Sequence, residues 1–255
     1  MDATIRTSRA WPYVGAWVQE ARYEFLRLWR TPSFVVPCLL FPSLFYLLFG
    51  VVLGHGSGGE AARYLLAGYG VFGVMGVALF GFGMTVAMDR EEGLLTLKRA
   101  QPMPPGAYLA AKVGMALLFS LAMFALLAAL AVGVGGVRLA PAQWLGLSAA
   151  VLWSVLPMGA LGLWLGTLVG GRGAPALINL VYLPMAFLSG LFIPLAMLPT
   201  LLQQLAPLWP AYHLAVIAQT QTGFGTERAL WPHLAFTLAF SALFLFLARR
   251  RLARA

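Results

Sequence analysis

Residues 113–135 read VGMALLFSLAMFALLAALAVGVG, twenty-three positions without one charged side chain. At 1.5 Å per residue a helix of that length is about 34 Å long. The hydrocarbon core of a bilayer is about 30 Å thick, so this run is long enough to cross it. The rest of the chain has the same character. Of 255 residues, 61% are hydrophobic and 10% are charged. A soluble domain carries about 25% charged residues. The mean hydropathy is +0.84. A soluble globule of this size could not hide so much apolar surface, and a disordered chain would be poor in it. The composition leaves an all-α polytopic membrane protein.

Five further apolar runs of similar length lie on either side, at 33–53, 65–88, 144–169, 175–194 and 230–248, giving six predicted transmembrane helices. Lysine and arginine orient them, because basic residues collect on the cytoplasmic side. With both termini cytoplasmic, fourteen of the seventeen basic residues fall inside; only Arg63, Arg138 and Arg228 fall outside. The formal charge of +9 therefore marks topology and not a nucleic-acid partner. The single cysteine, Cys38, sits in the first run and cannot form a disulfide within the chain. Residues 11–31 read as an amphipathic interfacial helix. Pro12 is in its first turn, and Val14, Trp17, Val18, Ala21, Phe25, Leu28 and Trp29 recur at spacings of three and four. Pro32 ends it, since the residue before proline avoids helical geometry. Residues 195–229 are apolar but interrupted by Pro199, Pro207 and Pro210. They read as broken, re-entrant-like helices on the outer side, because a seventh span would place Arg249–Arg251 outside. The whole chain reads as one transmembrane domain.

No acidic residue lies within the six spans, which argues against coupling to protons or sodium. His55, His213 and His233 are far apart in sequence and show no metal-ligand spacing. There is no nucleophile elbow and no phosphate-binding loop, so the expectation is a non-enzyme that binds no cofactor or metal itself. Gly68, Gly70 and Gly73 match a dinucleotide fingerprint, but inside an apolar span with no strand before it. Such glycines there serve close helix approach. Gly162, Gly166 and Gly170 repeat every four residues, which suits helix packing, either within the chain or between two copies. Asn179, Tyr182 and Ser189 form a polar stripe on the fifth span, which serves either a substrate path or interhelical hydrogen bonds.

The inner segment 89–107 is the richest in signals. Asp89, Arg90, Glu91 and Glu92 precede Gly93 and Leu94, then Leu97, Lys98 and Arg99, before Pro102, Pro104 and Pro105. Acids first and bases last suit a helix dipole. The segment reads either as a short surface helix able to transmit force or as a solvated loop.

Taken in order, these parts resemble the membrane subunit of ABC transporters of the type-2 exporter class. The resemblance rests on Trp29-Arg30-Thr31-Pro32 at the end of the first helix and on Arg90-Glu91-Glu92-Gly93-Leu94-Leu95. It also rests on Arg99-Ala100-Gln101-Pro102, on Tyr108-Leu109-Ala110-Ala111-Lys112, and on Ser189-Gly190-Leu191-Phe192-Ile193-Pro194. It implies a permease in the bacterial cytoplasmic (inner) membrane, two copies of which pair as a homodimer within lipid. A separate ABC ATPase subunit would bind ATP and Mg. Arg90, Glu91, Glu92, Gly93, Leu94 and Leu97 would then couple the ATPase to the spans, with Glu24, Arg27 and Arg30 beside them. The expected cargo is a hydrophobic or amphipathic drug, antibiotic or lipid-linked compound. Two alternatives stand beside it: export of a polysaccharide or lipo-oligosaccharide, and a membrane-embedded enzyme acting on lipids.

Overall fold

The computed structural model describes residues 11–95, 97, 106–225 and 229–252, and among them there are helices and turns but no strand. Helix α1 runs Trp11–Trp29. Thr31 links it to α2 (Pro32–Phe45), its hydroxyl donating to the Arg27 carbonyl at 2.8 Å. Proline at the first turn of α2 loses nothing, because that N–H has no helical partner anyway. α2 continues as a π-helical segment, Tyr46–Val52.

Helix α3 (Glu60–Glu91) is the axis of the molecule. Its 32 residues make it about 48 Å long. It is in contact with α2, with α4 (Ala107–Gly133), with α5 (Pro141–Trp153) and α6 (Val155–Leu165), with α7 (Ala174–Leu188) and with α9 (Pro210–Gln221). Glycine makes this crowding possible. A Cβ on Gly68 would strike the Leu191 carbonyl, and one on Gly83 would meet the Gly162 carbonyl at 2.9 Å. In a membrane, helices associate through such close van der Waals contact and not through expulsion of water. The Gly68, Gly70 and Gly73 pattern is therefore a packing surface, as its apolar setting suggests.

Among the described residues five helices are long and apolar enough to cross a membrane: Pro32–Val52, Glu60–Glu91, Ala107–Gly133, Pro141–Leu165 and Trp231–Leu252. The last of these is α10. The run expected at 175–194 contains only the fifteen-residue α7, which ends before Ser189 and the left-handed Gly190 (φ 74°). The run expected at 144–169 is broken at Ser154 and ends at Leu165. Pro157 accounts for the break, since it removes the N–H that would bond one turn back. Residues 195–221 are broken helices: a 3-10 turn at Leu195–Met197, α8 (Thr200–Leu205), another turn at Ala206–Leu208, and α9. α10 packs mainly on α6 and α9 and leaves Leu238, Leu243 and Phe246 exposed.

Candidate functional site

Three helices each bring a pair of polar side chains, three or four residues apart, to one place at the end of α3. The pairs are Glu24 and Arg27 on α1, Thr85 and Asp89 on α3, and Tyr108 and Lys112 on α4. That spacing sets each pair on one helix face. Arg27 donates to Asp89 Oδ1 at 2.6 Å, and Tyr108 donates to Oδ2 at 2.7 Å. Lys112 Nζ lies 3.3 Å from Oδ2 and donates to Glu24 at 3.2 Å and to the Thr85 hydroxyl at 2.7 Å. It also sits 4.7 Å from the centre of the Tyr108 ring. Lys112 and Asp89 are wholly buried and Glu24 nearly so. Two cations and two anions compensate one another here. A buried charge is tolerated only with a partner and full hydrogen bonding.

Glu24 and Arg27, expected to take part in coupling to an ATPase, are the α1 members of this cluster and hold α1 against α3 and α4. Arg30 remains exposed. Asp89, Lys112, Tyr108 and Thr85 were not grouped by sequence, although the spacings Thr85–Asp89 and Tyr108–Lys112 carried the signal. What could not be read was that the two faces meet.

The next two residues of α3 turn the other way. Arg90 donates to the Gly166 carbonyl at 3.1 Å, and Glu91 accepts from the Gly171 N–H at 2.6 Å. Both thus grip the turn between α6 and α7. Gly93 then adopts φ 71°, a conformation only glycine takes without strain, and stops α3. Leu94, Leu95 and Leu97 resume helical geometry, with the Leu97 N–H on the Gly93 carbonyl at 3.3 Å. Glu92 is exposed and so is Leu97, at 60%. Lys98, Arg99 and the proline cluster lie outside the described residues. Of the six predicted coupling residues on this segment, Glu92, Gly93, Leu94 and Leu97 lie beyond the end of α3, and Arg90 and Glu91 are committed internally.

The glycine stripe is occupied within the chain. Gly162 packs on Leu79 and Gly166 on the Gly83 backbone, so no room remains there for a second copy. Gly170 lies beside Glu91.

An open apolar groove of about 580 Å³ runs between α2, α3 and α7. Phe41, Phe45, Phe72, Phe80, Tyr182 and Leu183 supply most of its walls, with Cys38 and Asn179 among them. The Tyr182 ring stacks on Phe72 with centroids 4.8 Å apart, and its hydroxyl donates to the Phe72 carbonyl at 2.9 Å. The predicted polar stripe therefore divides. Asn179 and Tyr182 line the groove. Ser189 is buried away from it, with its hydroxyl bonded to the Met185 carbonyl.

The groove, the charge-clamped α1 and the segment beyond α3 all meet on α3. The sequence model of the ABC-2 type transporter family matches residues 17–220. The chain belongs to the ABC-2 type transporter family. The matched region takes in the ionic cluster and the groove and ends before α10. This ABC-2 chain is also 25% identical over 229 residues to the Bacillus subtilis (strain 168) protein named "Putative transport permease YvfS". That alignment covers 89% of this chain and 92% of that protein. The chain is thus a transport permease and an integral, multi-pass membrane protein.

One further pairing escaped the sequence. His213 on α9 and His233 on α10 are both buried, with their Nδ1 atoms 2.9 Å apart. His213 Nε2 is 2.9 Å from the Pro207 carbonyl. A carbonyl only accepts, so that nitrogen carries hydrogen and the His213 Nδ1 accepts from His233. Among the described residues no group of three or more potential metal ligands forms.

Proposed function

We propose that this ABC-2 permease works as a pair of identical copies with a separate ABC ATPase. It would export a hydrophobic or amphipathic molecule across the bacterial cytoplasmic membrane. ATP and Mg belong to the ATPase. Both termini are cytoplasmic, α7 is the fifth of six crossings, and residues 195–221 lie in the outer leaflet. Glu92, Gly93, Leu94 and Leu97 form the surface that meets the ATPase, with Arg30 of α1 alongside.

The groove between α2, α3 and α7 carries this reading. Its walls are aromatic and aliphatic, and Asn179 presents an amide without a hydrogen-bond partner among the described residues. Ligand sites combine a mostly apolar lining with a few placed polar groups. An ion would find too few oxygens here to replace its water. An amphipathic molecule would find both the apolar wall and the amide.

The test is reconstitution. The permease is purified with its ATPase, placed in vesicles, and followed with a fluorescent amphipathic dye. ATP-dependent dye movement is expected, reduced up to about tenfold by Tyr182→Ala, which removes a stacked ring worth roughly 0.5–1.5 kcal/mol. Failure to bind any ATPase, or turnover of lipid by the chain alone, would overturn it.

A further inference from the structure

We infer that Asp89 and Lys112 are positioning residues that fix the rotation of α3 about its own axis and thereby set the shape of the groove. The inference rests on the transport reading above and concerns how the groove is controlled.

α3 carries two stripes at four-residue spacing. Phe72, Gly76, Phe80 and Met84 face the groove. Gly81, Thr85 and Asp89 follow one residue later, about 100° around the helix, and face α1 and α4. The second stripe is held from two directions. Arg27 takes one oxygen of Asp89, and Tyr108 and Lys112 take the other, so the plane of the carboxylate is fixed. A carboxylate about 5 Å from the helix axis moves about 2 Å when the helix turns by about 20°. That displacement exceeds what any of these hydrogen bonds tolerates. Rotation of α3 therefore requires the cluster to come apart or α1 and α4 to follow.

On the face opposed to α6, backbone meets backbone at Gly83, Gly162 and Gly166, and the Phe82 ring lies against Gly159. Across this face α3 makes a side-chain hydrogen bond from Arg90 to the Gly166 carbonyl, whereas Asp89 is held by three groups from two helices. The same helix ends in the surface segment after Glu91, and α1 is tied to Asp89 directly. A force applied to either reaches the cluster before it reaches the groove.

Cys38 supplies the reporter, because it is the one cysteine of the chain and it lines the groove. The intact complex of permease and ATPase in lipid is treated with N-ethylmaleimide. Alkylation of Cys38 is followed by mass, without nucleotide and with the ATPase trapped by ATP and vanadate. In the natural chain the rate is expected to change at least about fivefold between the two states, a modest site-to-site coupling. Asp89→Asn keeps the shape and removes the charge, and it should abolish that change while the ATPase still co-purifies and hydrolyses ATP. Lys112→Arg keeps the charge and should retain the change. If Asp89→Asn does not assemble, Arg27→Gln, at the half-exposed edge of the cluster, takes its place with the same expectation. A natural-like response in these neutralised variants would overturn the inference while leaving the transport reading standing. No nucleotide response in the natural complex, together with no dye transport, would overturn the transport reading itself.

Discussion

The two ends of α3 are fastened by different chemistry. At the end near Asp89 the bonds run mainly between full charges, with Asp89 and Lys112 wholly buried. At the end near Glu60 they run mainly to backbone carbonyls. Tyr64 and Gln219 both donate to the Gly190 carbonyl, at 2.6 and 2.9 Å, and Arg63 donates to the Thr222 carbonyl at 2.7 Å while lying over the Phe224 ring. The difference lies in what happens when one partner is lost. A carbonyl that takes two donors still keeps one. A buried carboxylate that loses its cation is left uncompensated. The charged end is stiff and selective about partners; the carbonyl end is forgiving.

The comparison is broken most readily at Lys112. Lys112→Met removes one of the two cations of the cluster and leaves Glu24 and Asp89 buried. It should destabilise the chain by about 3–5 kcal/mol, read as a lowered thermal midpoint in detergent. If Lys112→Met matches the effect of Tyr64→Phe, the contrast between the two ends disappears. Gly166→Leu comes next. Its side chain would meet the Gly83 backbone, and overpacking of that kind costs about 1–3 kcal/mol. Thermal unfolding of the purified variant measures it.

The histidine pair adds a dependence on pH. Burial, and secondarily the neighbouring His233, holds His213 below its ordinary value of 6.5, although the Pro207 carbonyl pulls it up. Tyr212 is the other titratable ring against the pair. The depressed value means the unfolded chain binds the proton more readily. Stability is complete above 6.5 and falls as the pH drops towards the folded value, by at most about 1.4 kcal/mol per pH unit. His213→Gln should flatten a plot of thermal midpoint between pH 7 and 5; an unchanged slope would refute the assignment. Tyr64→Phe should cost only about 1 kcal/mol, because Gln219 still reaches the Gly190 carbonyl. The smallest effect belongs to Glu92→Gln, within about 0.5 kcal/mol as for an exposed side chain. The same change should lower the yield of ATPase complex in a pull-down, which separates a partner-facing residue from an inert one.

Much of the architecture follows from composition. Uninterrupted apolar runs mark the long helices, and Pro32 marks the corner between α1 and α2. The break at Ser154 and the early end of α7 at Leu188 were harder to read, since they depend on one proline and one left-handed glycine inside apolar sequence. The ionic cluster was the least legible part. Arg27 and Asp89 are 62 positions apart, and Glu24 and Lys112 are 88 apart. Each charge alone looked like a cytoplasmic marker. Only the packing of α1, α3 and α4 turns three unremarkable pairs into one buried assembly. The glycine stripe had two readings in sequence, and the Gly83 backbone selects one of them.

The placement of α10 also has a meaning in the order of synthesis. α6 is made some seventy residues before the helix that covers it. Until then the Trp164 ring lacks Phe244, and the Trp153 indole N–H lacks the Thr237 hydroxyl it meets at 3.1 Å. A chain emerging amino end first therefore assembles α3 and its neighbours around an unfinished face. α10 closes that face, and α9 waits for the same event through His213 and His233. The order of synthesis thus leaves the Trp153 and Trp164 side of the permease open until α10 arrives.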